Sequence, residues 1–278
     1  LNSEQRFING ARITGKLEHP NIIPIHELSR NSDGIPYYTM KQVKGVDLKD
    51  VVIGLQEEKP AFIQKYPLNT LISIFLKVCD AMAFSHSQNI IHRDLKLENI
   101  MIGEFGEVLV LDWGLAKDLS QEDPIENHHI PRSSEPDSAI DKVDLTLDGE
   151  IVGTPQYMSP EQAALSSNRV DQRSDIFSLG IILYRLLSLS KPIHETQTKR
   201  LFQKLKQGDF VALSSWNPNI KTQASSLHHI LHHCPDQIIP EGLIAACQKA
   251  IKIDPDQRYQ SVAQLQNDLV AWQSGFAT

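Results

Sequence analysis

The chain has 278 residues and a mass of 31.3 kDa, which is enough for one large domain or for two lobes that share an interface. With 41% hydrophobic and 22% charged residues, the composition excludes a disordered chain, a collagen-like repeat and a small disulfide-stapled scaffold. The formal net charge of −7 gives no basic footprint for nucleic acid.

The first predicted elements are a helix and a hairpin. Helical sequence over residues 1–19 ends at Pro20, because proline disfavours helix at the residue before it. Two strand-like runs follow, over residues 21–27 and 36–43, and the Asp-Gly turn between them is a hairpin signal.

The later elements are mainly helical. Apolar residues at helical spacing predict a long core-facing helix over Leu71–Ser87, and two short strands follow at Ile100–Ile102 and Glu107–Leu111. Residues 118–150 are polar and acidic, have no period, and are expected to form a mobile loop. The most apolar helix is predicted over Asp175–Leu189. A small strand-containing part before a larger helical part predicts an α+β fold with a cleft between them.

No segment predicts a membrane span or a targeting signal. The stretch Ile176–Leu189 is interrupted by polar residues and falls short of about 20 apolar residues, and the N-terminus lacks a charged-then-apolar layout. The three cysteines are an odd number, which is typical of reduced thiols. We therefore expect a soluble, cytoplasmic protein with no membrane or nucleic-acid partner within these residues.

The strongest chemical signal is the run HRDLKLEN at residues 92–99, followed by DWG at residues 112–114. A tight hairpin between the two runs would return Asp112 close to Asn99. Carboxylate and amide oxygens are ligands that Mg²⁺ prefers, together with phosphate oxygens. The pattern therefore predicts a magnesium site that would also hold phosphate.

Two further side chains in the first run suit phosphoryl transfer. Asp94 can accept a hydroxyl proton, and Lys96 supplies a positive charge for a transferring phosphoryl group. The two runs resemble the catalytic core of eukaryotic-like protein kinases of bacterial type. The resemblance implies that Asp94 is the catalytic base, that Lys96 contacts phosphate, and that Asn99 and Asp112 are the Mg²⁺ ligands. Lys96 also points to serine or threonine, not tyrosine, as the acceptor.

Three more motifs resemble the same family and occur in its order: GTPQYMSPEQ at 153–162, DIFSLG at 175–180 and DPDQRY at 254–259. By this resemblance Glu161 pairs with Arg258, and Asp175 holds the backbone of the catalytic loop. Thr154 would bond Asp94 and Lys96 and face the substrate. The resemblance covers residues 5–273.

The run YYTMKQVKG resembles the hinge between the two lobes of such kinases. The resemblance implies that Met40 lies at the gate to the back pocket. The carbonyl of Lys41 and the N–H of Val43 would bond adenine, and Asp47 would contact the ribose of ATP. Met101 would form the apolar floor beneath adenine, and the simpler interpretation of it as a core methionine in a short strand is compatible with that role.

Arg93, next to the predicted base, suggests regulation by phosphorylation, because such an arginine can bind phosphate and order a loop. Thr146 is the candidate phosphorylation site, while Thr154 is expected to be structural. Weaker candidates share the same segment: Ser120, Ser133, Ser134 and Ser138. The acidic excess in this segment is also consistent with a solvated insertion that has no specific role.

Two departures from the family pattern concern the N-terminal part. No glycine-rich loop and no Val-Ala-x-Lys strand is present, and we expect the strands that carry them to lie upstream of Leu1. In addition, Gly10 occupies the position of the glutamate that normally pairs with that lysine. Glycine costs about 1 kcal/mol in a helix interior relative to alanine. Glu4 is off the same helical face and could take over only if the helix shifts.

Two other patterns have simple alternatives. Histidine pairs at i, i+4 spacing in LHHILHHC, residues 227–234, could bind Zn²⁺ or Cu, although this run lacks a second ligand group. The basic run from Lys199 to Lys206 on a predicted helix is a solvated face by default, or a docking surface for an acidic substrate.

Together these patterns predict an α+β, kinase-like bilobal fold with a truncated N-lobe and a mainly helical C-lobe. We expect residues 1–43 to belong to the N-lobe, 44–273 to the C-lobe with an activation segment at 112–161, and 274–278 to a tail. The predicted function is transfer of the ATP γ-phosphoryl group to serine or threonine of a protein, with Mg²⁺ and possible autophosphorylation in trans. The alternative is a pseudokinase or regulatory binding module without turnover. The isolated chain is expected to be weak or inactive.

Overall fold

The structure is a computed structural model and describes residues 3–120, 155–164, 170–217 and 229–275. The helices in these ranges are α1 (Ser3–Lys16), α2 (Leu48–Gln56), α3 (Pro60–Lys65), α4 (Leu68–Ser87), α5 (Pro160–Ala163), α6 (Gln172–Ser188), α7 (Thr198–Gln207), α8 (Glu241–Ala250) and α9 (Val262–Gln273). The strands are β1 (Ile25–Arg30), β2 (Pro36–Met40), β3 (Gly45–Asp47), β4 (Ile90–Ile91), β5 (Ile100–Gly103), β6 (Val108–Val110) and β7 (Lys117–Asp118).

The predicted hairpin is formed by β1 and β2, which pair antiparallel with Leu28 opposite Tyr38. Its turn is stabilised by the Asn31 side chain, whose Oδ1 accepts the backbone N–H groups of Asp33 and Ile35 at 3.0 and 2.9 Å. Helix α1 contacts the hairpin, and the ring of Phe7 stacks on Tyr38 with centroids 5.0 Å apart. The first helix and the hairpin therefore form one unit.

A second, three-stranded sheet has the order β3-β5-β6. The N–H of Ile23 donates to Val110 at 3.1 Å, and the N–H of Val110 donates to Asn21 at 2.8 Å. These bonds attach the segment before β1 to β6, so the N-terminal unit is tied to the sheet that leads into the DWG run. Strands β4 and β7 form a separate two-residue pair that the sequence pattern did not predict.

The hydrophobic core is one continuous cluster that extends from α1 to α9. Helix α4 packs against α6 and α9, and α6 is buried from Ser174 to Ser188. Among the described helices, α4 is the one long and apolar enough to cross a membrane by length and composition. More than half of it is buried inside the fold, and a core helix passes the same test.

Candidate active site

The catalytic loop is anchored to α6 by a buried carboxylate. Asp175 accepts the backbone N–H groups of His92 and Arg93 at 2.8 and 2.9 Å, and the Nε2–H of His86 at 2.8 Å. Burial acts to raise the pKa of Asp175, but the hydrogen bond and charge of His86 and the bond from His92 outweigh it and hold the pKa below its usual value. These bonds support Arg93 in a left-handed backbone conformation, φ +67°.

The predicted base and the predicted phosphate-contacting lysine are in direct contact. Lys96 Nζ donates to Asp94 Oδ2 at 2.6 Å, and their side chains are 18% and 11% exposed. The N–H of Asp94 donates to His92 Nδ1 at 3.3 Å, while His92 Nε2–H donates to the carbonyl of Leu111 at 3.1 Å. The His92 ring therefore connects the catalytic loop to the residue that precedes Asp112.

Asn99 and Asp112 are brought together by the hairpin of β5 and β6. Asn99 is buried and its Nδ2 donates to the carbonyl of Asp94 at 3.0 Å, which leaves the amide oxygen as the atom that can bind a cation. The N–H of Leu111 donates to the carbonyl of Asn99 at 2.8 Å. Asp112 follows directly, with φ +56°, and its Oδ1 accepts the N–H of Gly114 at 3.3 Å.

The donor set of Asn99 and Asp112 fits Mg²⁺ shared with phosphates. One amide oxygen and one carboxylate are hard ligands, and Mg²⁺ is usually bound by one or two carboxylates plus substrate phosphates. Across the described part of the chain, no group of three or more His, Cys, Asp and Glu side chains could hold a metal alone. The chemistry of Asn99 and Asp112 therefore fits a Mg²⁺ ion that phosphate oxygens would also bind.

Gly10 lies directly against the DWG run. A Cβ atom at this position would be 2.8 Å from the Cα of Gly114 and 3.0 Å from the carbonyl oxygen of Trp113. The Trp113 ring is buried beside His92, with centroids 4.6 Å apart. Position 10, where the family resemblance led us to expect a glutamate, thus coincides with a close approach of two backbones that a larger side chain would prevent.

Glu4, the other carboxylate considered for pairing with a phosphate-binding lysine, is paired with Arg30 instead. Its Oε1 accepts from Arg30 Nη2 of β1 at 2.7 Å, and both side chains are about half exposed. This contact binds α1 to the hairpin and not to the DWG run.

The hinge residues lie between β2 and β3. Met40, the predicted gate residue, ends β2 and is 50% exposed. The N–H of Lys41 donates to the carbonyl of Pro24 at 3.3 Å, and the binding of adenine by the carbonyl of Lys41 stays a prediction. Val43 is half-buried in the connection that follows.

Asp47 and Met101, predicted to contact ribose and adenine, are directly opposite each other in the β3–β5 pair. Asp47 also begins α2, and its Oδ1 accepts the N–H of Asp50 at 2.7 Å. Met101 is half-buried. This capping role, which no sequence pattern indicated, fixes the Asp47 side chain opposite Met101, the predicted adenine floor.

Glu161 and Arg258 form the ion pair that the resemblance implies. Two parallel bonds of 2.8 Å join the carboxylate to the guanidinium, and Ser174 Oγ donates to Glu161 at 2.7 Å. Burial acts to raise the pKa of Glu161, but Arg258 and Ser174 more than compensate and hold it below its usual value. The next residue, Gln162, donates from Nε2 to the carbonyl of Arg93 at 2.9 Å.

Several predicted regulatory residues lie outside the described residues: Thr146, Thr154, Ser133, Ser134 and Ser138. Ser120 is described and exposed, and its hydroxyl donates to the partly buried Asp118. Arg93 Nε donates to the carbonyl of Leu115 at 2.6 Å.

The histidine-rich run is divided among different partners. Buried His233 donates from Nε2 to the carbonyl of Leu186 at 3.0 Å, and His232 pairs with Glu58 at 3.4 Å. His228 lies outside the described residues. The basic run falls on α7 as predicted.

Sequence reasoning missed Tyr157 and Arg185, which meet beside the catalytic loop. Arg185 donates from Nη1 to the Tyr157 hydroxyl and lies over the ring, 5.7 Å from its centroid. The available signal was a charged residue within the most apolar helix, which was noted only as an interruption of that helix.

Comparison with known sequences agrees with this geometry. The sequence profile of the protein kinase domain matches residues 2–270, and the chain therefore belongs to the protein kinase family. Serine/threonine-protein kinase PknD of Protochlamydia amoebophila (strain UWE25) is 34% identical over 276 residues, which is 98% of this chain and 26% of the relative.

Proteins of the same name from Chlamydia felis (strain Fe/C-56) and Chlamydia pneumoniae are 34% and 30% identical over 96% of this chain. The chain spans about a quarter of the length of these relatives. The family model and the relatives agree on a protein kinase domain, and the relatives are named as serine/threonine-protein kinases.

Proposed function

We propose that this domain transfers the γ-phosphoryl group of ATP to a serine or threonine hydroxyl of a protein. The observation that carries the proposal is the convergence of Asp94, Lys96, Asn99 and Asp112 on one loop and the hairpin that follows it. Each of these side chains keeps the type that phosphoryl transfer needs. Protein kinase catalysis depends mostly on positioning and electrostatics, so their relative geometry is the central requirement.

The side chains of the catalytic loop have separate roles in the transfer. Asp94 accepts the proton of the acceptor hydroxyl. The hydroxyl oxygen forms a bond to the γ-phosphorus as the bond between that phosphorus and the ADP oxygen breaks. Lys96, already 2.6 Å from Asp94, stabilises negative charge on the transferring group. His92 and Asp175 hold the loop so that these two side chains keep their positions.

Asn99 and Asp112 would hold Mg²⁺, which supplies charge neutralisation between the terminal phosphates when it is bound. Lys41 and Val43 would bind the adenine edge through their backbone groups, and Met101 would lie beneath the ring. Asp47, fixed by its capping bond at the start of α2, would reach the ribose hydroxyls. Protein substrates and autophosphorylation in trans belong to the same proposal.

These 278 residues contain no glycine-rich loop and no Val-Ala-x-Lys run. We therefore propose that they bind Mg·ATP weakly and turn over slowly when tested alone. Groups that cover the triphosphate contribute much of its binding in kinases.

One observation favours a second function, binding without turnover. Gly10 leaves no room for a side chain against Trp113 and Gly114, and Glu4 is paired with Arg30. The position that would pair with a phosphate-binding lysine thus carries no carboxylate here. A pseudokinase or regulatory module would retain nucleotide binding and lack transfer.

A phosphate-transfer assay with labelled ATP on the 278-residue chain separates the two functions. We expect slow, Mg²⁺-dependent labelling of a serine peptide. The Asp94→Asn variant should lower the rate by about 10²–10⁴-fold, as expected when a catalytic base is lost. Its nucleotide affinity should be unchanged, because Asp94 contacts the acceptor. Labelling that survives the substitution would disprove the assignment of Asp94, and nucleotide binding without any labelling would favour the second function.

A further inference from the structure

The peptide bond between Arg93 and Asp94 determines where the proposed catalytic base points, because the Asp94 side chain follows it directly. Arg93 has a left-handed backbone conformation, with φ +67°. A residue other than glycine is strained in this conformation and keeps it only when the surrounding structure holds it there. The contacts on the two sides of Arg93 therefore decide how firmly Asp94 is placed.

Arg93 is held on its two sides by different helices. The peptide before it is held by Asp175 of α6, whose Oδ1 accepts the N–H of Arg93 at 2.9 Å. The peptide after it is held by Gln162 of α5, whose Nε2 donates to the carbonyl of Arg93 at 2.9 Å. The other polar group of that second peptide, the N–H of Asp94, has a longer bond of 3.3 Å to His92 Nδ1. Gln162 therefore makes the shorter of the two contacts to the peptide that carries Asp94.

The partners of Gln162 determine which way its amide group faces. Its Oε1 accepts from the backbone N–H and from the hydroxyl of Ser159, each at 3.0 Å. A backbone N–H can only donate and a backbone carbonyl can only accept, so the amide oxygen must face Ser159 and the amide nitrogen must face Arg93. The oxygen of Gln162 thus serves the helix cap, and the nitrogen serves the catalytic loop.

The segment that carries Gln162 is itself firmly attached to the core. Glu161, the preceding residue, is bound by Arg258 through two parallel hydrogen bonds of 2.8 Å. The carbonyl of Tyr157 accepts from Ser178 Oγ at 2.8 Å, and Ser178 belongs to α6, the same helix that anchors the catalytic loop. Gln162 therefore reaches the loop from a fixed support.

We propose that Gln162 is a positioning residue for phosphoryl transfer: its amide nitrogen fixes the peptide between Arg93 and Asp94 and so aims the Asp94 carboxylate at the acceptor hydroxyl. The inference rests on the proposed kinase function and adds a residue to that site. Gln162 touches neither the nucleotide nor the acceptor, and it acts through the backbone of the catalytic loop. Its loss therefore lowers kcat and leaves KM for ATP unchanged.

Two substitutions separate the two ends of the Gln162 amide. Gln162→Glu keeps the oxygen that accepts from Ser159, and glutamate also suits this capping position, but the donor to Arg93 is lost. Ser159→Ala is the matched control, because it removes the capping hydroxyl and leaves the bond from Gln162 to Arg93 in place. Gln162→Met removes the donor without adding a charge, and it replaces Gln162→Glu if the carboxylate disturbs the fold.

Two measurements are made on the 278-residue chain and its variants. Hydrogen–deuterium exchange of a peptide that covers residues 92–99 reports the order of the catalytic loop without any need for activity. Labelling of a serine peptide at varied ATP concentration gives kcat and KM. We expect Gln162→Glu to speed exchange in the loop by about 5- to 10-fold, as for one lost hydrogen bond, and to lower kcat by about 10- to 100-fold. Ser159→Ala should lower Tm and change neither the loop exchange nor kcat.

The outcomes separate this inference from the proposed function. Transfer whose kcat is the same with and without Gln162→Glu would overturn the positioning role and leave the kinase function standing. Equal effects of Gln162→Glu and Ser159→Ala would overturn it as well, because the helix cap would then explain both. If the unmodified chain transfers no phosphate, the proposed function fails and exchange alone decides. Faster loop exchange in the Gln162 variants only would then support the positioning role, and unchanged exchange would overturn it.

Discussion

The catalytic loop and helix α1 both lie beside the DWG run, and they are held in place by different kinds of contact. On the catalytic-loop side, the contacts are buried charges with complete hydrogen bonds, namely Asp175 with the loop backbone and Glu161 with Arg258. On the α1 side, the ion pair of Glu4 and Arg30 is exposed. The decisive contact there is the fit of Gly10 against Gly114.

This contrast indicates which part of the site is rigid. Buried, bonded charges hold their geometry strongly, and removing one partner is costly. Exposed pairs contribute little and are screened by salt. We therefore expect the polar contacts of α1 to contribute little to stability, since its buried Ile13 packs in the core, while the polar contacts of the catalytic loop contribute strongly.

The largest effect should come from breaking the buried pair. Arg258→Met leaves the Glu161 carboxylate buried without its partner and should lower the free energy of unfolding by about 3–5 kcal/mol. Urea unfolding at neutral pH measures this. The double variant with Glu161→Leu should recover much of the loss, because no uncompensated charge remains. A loss below about 1 kcal/mol for the single variant would contradict the contrast between the two sides.

A second prediction concerns His233, a buried base in the helical part. Burial lowers its pKa from 6.5 to about 4, despite opposing bonds to the carbonyls of Leu186 and Leu187. The unfolded chain therefore takes up the proton first as the pH falls from 6.5 toward 4, and stability is lost in that window by about 3 kcal/mol or less.

Urea unfolding at pH 7, 5.5 and 4.5 tests the assignment. The His233→Gln variant can still donate to Leu186 and should show a shallower decline than the unmodified chain. Parallel declines in the two proteins would mean that other groups cause the acid sensitivity.

The third prediction tests the glycine contact. Gly10→Ala places a methyl group 2.8 Å from Gly114 Cα, and this overpacking should lower the free energy of unfolding by about 1–3 kcal/mol. The better helix propensity of alanine offsets about 1 kcal/mol of that loss. Gly15→Ala is the matched control, since its Cβ would meet nothing within 4 Å. The control should stabilise by about 1 kcal/mol or less. Thermal unfolding of the two variants measures the difference, and equal changes in Tm would refute the close approach of Gly10 to Gly114.

The smallest effect is expected at the exposed pair. Glu4→Gln removes its charge and should change stability by less than about 1 kcal/mol, and the change should vanish in 0.5 M salt. A double-mutant cycle with Arg30→Gln measures the interaction free energy between the Glu4 and Arg30 side chains. A coupling above about 2 kcal/mol would show that α1 is fixed as firmly as the catalytic loop.

The sequence predicts those features that local patterns determine. The hairpin that returns Asp112 to Asn99 and the positions of α4 and α6 follow from spacing and apolar period. The Glu161–Arg258 pair follows from the family resemblance. The metal and nucleotide roles remain predictions, because they concern bound molecules.

Other features depend on close approaches that no local pattern encodes. Gly10 and Gly114 are far apart in sequence, so glycine at position 10 looked only like a lost glutamate. Arg185 and Tyr157 meet because α6 is buried beneath the segment that precedes α5. Strands β4 and β7 have two residues each, too few for a period. In each case the contact depends on tertiary packing, which a local sequence pattern does not encode.

Gln162 shows how one side chain can make two parts of the site move as a unit. Its Oε1 accepts from the backbone N–H and the hydroxyl of Ser159, both at 3.0 Å, which closes the first turn of α5. The nitrogen of the same amide donates to Arg93. A carboxylate at this position could accept but not donate, so only an amide serves both ends. The start of α5 is therefore joined to the catalytic loop through this amide, and a displacement of α5 should move Arg93 with it.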